Sequence, residues 1–113
     1  MPHCIVEYSA PLAAQIDIQA LATKVHLGTF DSGLFELNAI KTRAYCAQHY
    51  LVGDHDDAQF VHIQIAIMPG RTVAQKQVLL DSVSKALSDY STIDSLTIEV
   101  VDLAKEAYFK KLG

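Results

Sequence analysis

The chain of 113 residues has few of the features that mark membrane, secreted or disulfide-rich proteins. No stretch approaches the ~18 apolar residues of a membrane span, and the first residues lack the basic and apolar segments of a signal peptide. The two cysteines, Cys4 and Cys46, do not form a CxxC pair and are expected to be small buried residues in a reducing compartment rather than a disulfide. These absences predict a cytoplasmic protein with no membrane segment.

An excess of basic residues is also missing, because 9 Lys and Arg against 13 Asp and Glu give a formal net charge of -4. A nucleic-acid-binding surface needs a basic face or stripe, so nucleic acid is not an expected partner. Half of the residues are apolar and 19% are charged, which is typical of compact globular proteins. We expect one domain over residues 1–113, in which local cations must hold any anionic ligand.

Glycine and proline are sparse, and they divide the first half of the chain. Residues 3–9 are rich in Ile, Val and Tyr and predict a strand that ends before Pro11. Asp17 is the expected N-cap of a helix that reaches Gly28. Residues 39–52 are rich in strand-forming residues, without Gly or Pro, and predict a second strand. A strand–helix–strand unit over about residues 2–52 follows.

The second half repeats this order. After a polar turn at 53–57, apolar residues alternate in a strand over 60–67. Thr72 and Gln75 have the spacing of a capping box, which starts a helix predicted to run to about Tyr90. Residues 96–103 predict the last strand and complete a unit over about 60–103. Residues 104–113 are expected to form a C-terminal arm, as a short helix or against a neighbouring molecule.

Two consecutive βαβ units predict an α+β protein with a four-stranded mixed sheet and both helices on one face. The other face would have no cover. Because Ile, Val and Tyr side chains there would form an apolar patch too large for a monomer, we expect the protein to associate through this face. Symmetric closure is the usual outcome of such association.

Pro2 directly follows Met1, and this position could make it a catalytic base. If Met1 is removed, Pro2 has a free secondary amine, whereas internal nitrogens are amides. An α-amino group titrates at about 7.7 to 8.0, and burial or nearby cations lower that value. Pro2 would then be a general base near working pH. The alternative is that Pro2 only precedes a strand, where its missing N–H costs no ladder bond.

Three cations could bind an acid. Lys41 and Arg43 lie two residues apart on a strand and therefore share a face, and Arg71 follows Pro69 and Gly70 at the start of the second helix. Arg binds a carboxylate through two hydrogen bonds, while Lys offers a compact charge. The alternative is that each is an ordinary exposed surface charge.

Other chemical motifs are weaker. His26, His49 and His55 have no partner at metal-ligand spacing, and His3 and His62, in predicted strands, are expected to be hydrogen-bonded histidines of the core. The acidic tract 54–57 lacks the alternation and closing Glu of an EF-hand and predicts a solvated turn. Cys4 is a possible but weak candidate for a nucleophile. No GxSxG, P-loop or GxGxxG motif is present.

Several segments resemble the 5-carboxymethyl-2-hydroxymuconate isomerase family of the tautomerase superfamily, and the resemblance spans most of the chain. They are Met1-Pro2-His3-Cys4-Ile5-Val6-Glu7-Tyr8-Ser9, Gly33-Leu34-Phe35, Ile40-Lys41-Thr42-Arg43, Phe60-Val61-His62 and Gly70-Arg71-Thr72. The resemblance implies the tautomerase fold, a homotrimer, removal of Met1, and catalysis by Pro2 with no metal or organic cofactor. It also implies that Arg43 and Arg71, assisted by Lys41, bind a di- or tricarboxylate substrate and stabilise charge on its 2-oxygen.

The implied activity is keto-enol isomerisation of a 2-hydroxymuconate-like acid. This chain has Lys41-Thr42-Arg43 where the family tends to have Arg-x-Arg, it has no Trp after Tyr45, and its arm is short. The substrate is therefore left open. The alternatives are a promiscuous 2-keto acid tautomerase, a hydratase or dehalogenase that uses protonated Pro2 as an acid, and a non-catalytic trimeric binding protein.

Overall fold

A computed structural model describes residues 1–112 of the chain, so Gly113, the last residue of the expected arm, lies outside the described residues. The elements follow the predicted order of strand, helix and strand, twice over. Their bounds are β1 His3–Ser9, α1 Ile18–Asp31, β2 Lys41–Ala47, β3 Phe60–Ile67, α2 Val73–Ala86 and β4 Ser95–Asp102. Short 3₁₀ segments lie at Ala10–Ala14, Leu37–Ala39 and Lys105–Ala107.

The four strands form one mixed sheet in the order β2-β1-β3-β4. β1 pairs with β2 and β3 pairs with β4 in parallel, while the central pair β1 and β3 is antiparallel. One face packs against both helices through a core of aliphatic side chains that includes Val6, Leu21, Val25, Ile63 and Leu79. The predicted mixed sheet with two helices is confirmed. The division into two repeated units stays a prediction.

Helix α1 continues past Gly28, where its predicted apolar stripe stops, and ends at Asp31. Gly28 lies where α1 crosses α2, and a Cβ built there would lie 3.0 Å from the Cβ of Ala86 and 3.1 Å from the Cα of Val83. The Ser82 hydroxyl donates to the Gly28 carbonyl at 2.6 Å. The glycine therefore permits close helix packing instead of ending the helix.

Two other predicted elements were too long. Strand β2 covers Lys41–Ala47 rather than 39–52, because its partner β1 ends at Ser9, which pairs with Ala47. Helix α2 ends at Ala86 rather than Tyr90, since the next amides bond three residues back, as Leu87 does to Ser84. In both cases the residues that favour the element continue along the sequence after its backbone hydrogen-bond pattern has ended.

The predicted apolar character of the open sheet face is wrong. By alternation and register this face carries mainly polar and charged side chains, and its residues are His3, Ile5, Glu7, Ser9, Lys41, Arg43, Tyr45, Ala47, Phe60, His62, Gln64, Ala66, Ser95, Thr97, Glu99 and Val101. The Ile and Val side chains of β3 lie on the helix face, where burial favours them. His3 and His62 are thus hydrogen-bonded histidines of the open face, and not of the core as was predicted for both. His3 contacts Tyr108 at 2.9 Å, and His62 is paired with Glu99 at 2.8 Å.

The cysteines differ in environment. Cys4 is buried as predicted, but Cys46 is exposed, because it lies near the end of an edge strand. Neither forms a disulfide. Within residues 1–112, no helix combines the length and apolar character needed to cross a bilayer.

Candidate active site

The amino-terminal residues lie at the end of β1, between the sheet and the α2 entry. Pro2 is fully buried, and its carbonyl accepts a hydrogen bond from the Lys41 amide at 3.0 Å, which begins the β1–β2 pairing. Burial, followed by the charges of Lys110 and Lys41, lowers the pKa of the Met1 amino group. These surroundings therefore disfavour the protonated form of the amino-terminal amine.

Arg71 is positioned by the connection from β3 to α2. Gly70 has a φ of 119°, a value that L side chains rarely adopt, so glycine allows the chain to turn here. Thr72 then caps α2, and its hydroxyl accepts from the Gln75 amide while the Gln75 side chain accepts from the Thr72 amide. Arg71 thus stands directly before a firmly fixed helix N-terminus, where the helix dipole adds positive potential.

The Arg71 guanidinium is held by the loop that follows α1. Its Nη2 donates to the Leu34 carbonyl at 2.7 Å, and its Cζ lies 5.2 Å from the centre of the Phe35 ring. A cavity of about 440 Å³ opens beside it, lined by Met1, Phe35, Met68, Pro69, Gly70, Arg71 and Gln75. The structure therefore brings the amino terminus and Arg71 to one cavity that suits a small acid.

Lys41 and Arg43 share the open face of β2, as predicted, but neither lines this cavity. Lys41 is exposed, and its Nζ donates to the Ala39 carbonyl at 3.2 Å. Arg43 is half-buried and its Nη1 lies 3.2 Å from His3 Nδ1. Burial and the charges of Arg43, Lys41 and the amino terminus lower the pKa of His3. These two cations therefore form a second charged group close to the amino terminus.

Sequence reasoning assigned no role in the site to three residues of this region. Lys110 in the arm acts on the amino terminus through its charge, His3 contacts Arg43, and Tyr108 contacts His3 at 2.9 Å. Short-range spacing cannot reveal such contacts, because the arm and β1 lie at opposite ends of the chain. The one signal in the sequence was that a polar residue, His3, directly follows the candidate base Pro2.

The four-stranded mixed sheet with two helices on one face is that of a protein of the tautomerase fold, and the amino terminus shares a cavity with Arg71. A solved 5-carboxymethyl-2-hydroxymuconate delta-isomerase superposes with a TM-score of 0.85 at 22% identity, covering 100% of this chain and 89% of that chain. The family model for 5-carboxymethyl-2-hydroxymuconate isomerase matches residues 2–111. The chain belongs to this family and is an isomerase of the tautomerase type.

Two further comparisons agree. A 5-carboxymethyl-2-hydroxymuconate Delta-isomerase from Escherichia coli is 27% identical over 119 residues, which cover 98% of this chain and 94% of the relative. A fused 4-OT wild-type symmetric trimer superposes with a TM-score of 0.73 at 19% identity, over 96% of this chain and 93% of that chain. The predicted family, fold and isomerase class are confirmed.

Proposed function

We propose that the protein, after removal of Met1, isomerises a 2-hydroxymuconate-like di- or tricarboxylate, with the amine of Pro2 as the general base. The observation that carries this proposal is the single cavity shared by Met1 and Arg71. Met1 stands where the amino terminus enters the cavity, so its removal would present the Pro2 nitrogen to a ligand there. Pro2 itself is held by β1 and cannot move far from that point.

The surroundings favour a neutral amine. Burial and the cations Lys110 and Lys41 lower the pKa of the amino terminus in the chain that retains Met1. The same causes would act on a Pro2 amine, because it lies one residue further into the fold. A base whose pKa is close to working pH is the most efficient proton carrier.

The cations supply the binding of the acid. Arg71 uses one donor on the Leu34 carbonyl and has further N–H groups for a carboxylate. Arg43 and Lys41 lie on the open sheet face, outside the lining of the cavity, and would bind a second carboxylate or the 2-oxygen of a substrate that extends beyond it. Fixed donors aimed at developing negative charge are the strongest means of stabilising an enolate.

The proposed reaction moves one proton within the substrate. The Pro2 nitrogen takes the proton of the 2-hydroxy group, so that this O–H bond breaks and a carbonyl forms at carbon 2. The electron pair moves along the diene, and the protonated amine returns the proton to a distal carbon, where a C–H bond forms. A conjugated ketone results, and no electron acceptor, metal or organic cofactor is needed.

We also propose a homotrimer in the cytoplasm. The symmetric trimer of the fused 4-OT structure supports this assembly, since its subunits share the fold. The open face of the sheet is polar, so association would rest on hydrogen bonds and charge pairs instead of an apolar patch. The two unpaired cysteines fit a reducing compartment.

The experiment combines intact mass with a spectrophotometric ketonisation assay on 5-carboxymethyl-2-hydroxymuconate. We expect the purified parent to lack Met1 and to be active. A variant with one alanine inserted between Met1 and Pro2 turns the proline nitrogen into an amide and should lose about 10²- to 10⁴-fold in rate, the usual contribution of a positioned base. Pro2→Ala keeps an amine at the same place and should retain more activity than the insertion.

The outcomes separate the alternatives. Equal activity in the parent and the insertion variant would overturn the role of the Pro2 amine. A higher kcat/KM for phenylpyruvate than for the tricarboxylate would replace the proposed substrate class by 2-keto monoacids. A parent that lacks Met1 but turns over neither acid would exclude these two substrate classes and point to another acid substrate or to a non-catalytic trimer.

A further inference from the structure

We propose that His3 and Tyr108 are positioning residues that hold Arg43, so that a hydrogen-bond chain connects the C-terminal arm to a substrate-binding cation. The inference rests on the proposed function in one respect, namely that Arg43 contacts the substrate. The arrangement of the chain itself follows from the structure. It consists of Arg43 on β2, His3 on β1 and Tyr108 just after the last 3₁₀ segment.

The chemistry of the three groups fixes the direction of the bonds. A guanidinium can only donate, so the 3.2 Å contact between Arg43 Nη1 and His3 Nδ1 requires a lone pair on Nδ1. His3 must then be neutral with its proton on Nε2. That proton points to the Tyr108 hydroxyl oxygen, 2.9 Å away. His3 therefore accepts from Arg43 and donates to Tyr108.

Neighbouring charges favour this neutral state. Burial, then Arg43, Lys41 and the amino terminus lower the pKa of His3. A protonated His3 would present an N–H group and a positive charge to Arg43 and would push it away. The neutral ring with hydrogen on Nε2 is thus the form that keeps Arg43 in place.

Tyr108 is distinct among the residues of the arm. Residues 104–107 and 109–112 are exposed, whereas Tyr108 is half-buried. Its ring meets the His3 ring edge-on, with centroids 6.2 Å apart and planes at 69°. The arm is therefore attached to the sheet at Tyr108, the residue that completes the series of hydrogen bonds from Arg43.

Loss of the Tyr108 hydroxyl removes the acceptor that holds the proton on Nε2. The His3 proton can then occupy Nδ1, where it opposes the Arg43 N–H, and the guanidinium loses its fixed orientation. A substrate with two or three carboxylates depends on that orientation for binding. We therefore expect Tyr108→Phe to raise KM for the tricarboxylate about tenfold, with a smaller change in kcat, because it weakens the bond between His3 and the charged Arg43, and loss of a hydrogen bond to a charged group typically has this size.

The first test does not need activity. A long-range ¹H–¹⁵N spectrum of the imidazoles in the whole protein should show His3 protonated on Nε2, and Tyr108→Phe should shift it to a mixture of both tautomers. Tyr45→Phe is the matched control, because it removes an exposed hydroxyl on the same sheet face. A His3 ring protonated on Nδ1 in the parent would overturn the proposal.

The second test uses two substitutions of His3. Asparagine retains an acceptor near the place of Nδ1, so His3→Asn should keep KM within about threefold, while His3→Leu should raise it about tenfold or more. Equal KM values for the parent, Tyr108→Phe and His3→Leu would overturn the positioning role. If the parent does not turn over the acid, the proposed function has failed. The tautomer spectra then still decide whether the hydrogen bonds from Arg43 through His3 to Tyr108 are formed.

Discussion

Arg71→Lys is the sharpest test of the proposed carboxylate site, because it keeps the positive charge and removes the planar fork. In the structure, Nη2 is occupied by the Leu34 carbonyl at 2.7 Å, and the guanidinium stands 5.2 Å from the Phe35 ring. A lysine ammonium cannot serve this carbonyl and also bind a carboxylate through two parallel hydrogen bonds. The substitution should therefore weaken binding of the reacting acid.

The magnitude follows from the bonds that are lost. One hydrogen bond to a charged group contributes about 1.5 to 3 kcal/mol, and each 1.36 kcal/mol is a factor of ten in rate. Arg71→Lys should therefore lower kcat/KM about 10- to 160-fold. Arg71→Ala should lower it further, because the charge is lost as well.

The assay is steady-state ketonisation of 5-carboxymethyl-2-hydroxymuconate, with circular dichroism to confirm that each variant is folded. Phe35→Leu keeps an apolar wall and removes the aromatic face, so it should cost only about two- to fivefold, the size of an exposed cation–π contact. Lys85→Gln, at an exposed position near the end of α2, is the control for loss of a positive charge elsewhere. If Arg71→Ala retains kcat/KM within twofold of the parent, the site has been placed wrongly.

Three further predictions concern charge and packing. Lys110→Gln removes a cation that lowers the pKa of the amino terminus, so this pKa should rise and the ascending limb of the kcat/KM profile should move to higher pH, as recorded by a pH series. Gly28→Ala places a Cβ 3.0 Å from Ala86, and an overpacking cost of about 1 to 3 kcal/mol should outweigh a helix-propensity gain of about 1 kcal/mol, which urea denaturation would show as a lower midpoint. Thr72→Ala removes the hydroxyl that accepts from the Gln75 amide and should cost about 1 kcal/mol in urea unfolding.

Each of these has a matched control. Lys85→Gln should leave the pH profile in place, and a profile that moves equally in both variants would assign the shift to net charge. Ser84→Ala, on the exposed side of α2, should not lower stability, and a Gly28→Ala protein more stable than the parent would refute the close helix crossing. Thr92→Ala removes an exposed hydroxyl, and an equal loss in both threonine variants would remove the case for the cap.

The order of the elements and part of the site could be predicted from local patterns. Alternation of apolar residues identified β3, and the spacing of Thr72 and Gln75 identified the start of α2 correctly. The period of two along a strand correctly placed Lys41 and Arg43 on one face. These predictions succeeded because each depends on residues within a few positions of one another.

Element ends depended on partners elsewhere in the chain. Gly28, a common stop signal, lies inside α1 because α2 approaches it closely. Strand β2 ends where β1 ends, at the pair Ser9 and Ala47, although strand-forming residues continue. Neither element end can be predicted from the neighbouring residues in the sequence, because the atoms that determine it belong to another helix or strand.

Side-chain pattern and residue identity were enough to predict the family, the order of strands and helices, and the kinds of residue in the candidate site. Tertiary structure decided which groups meet. Packing placed Met1 with Arg71 at one cavity, turned the polar side of the sheet outward, and brought Tyr108 to His3 across 105 positions of the chain. Contacts over such separations arise only when the sheet and arm close together, and they set the direction of hydrogen bonds that no local pattern encodes.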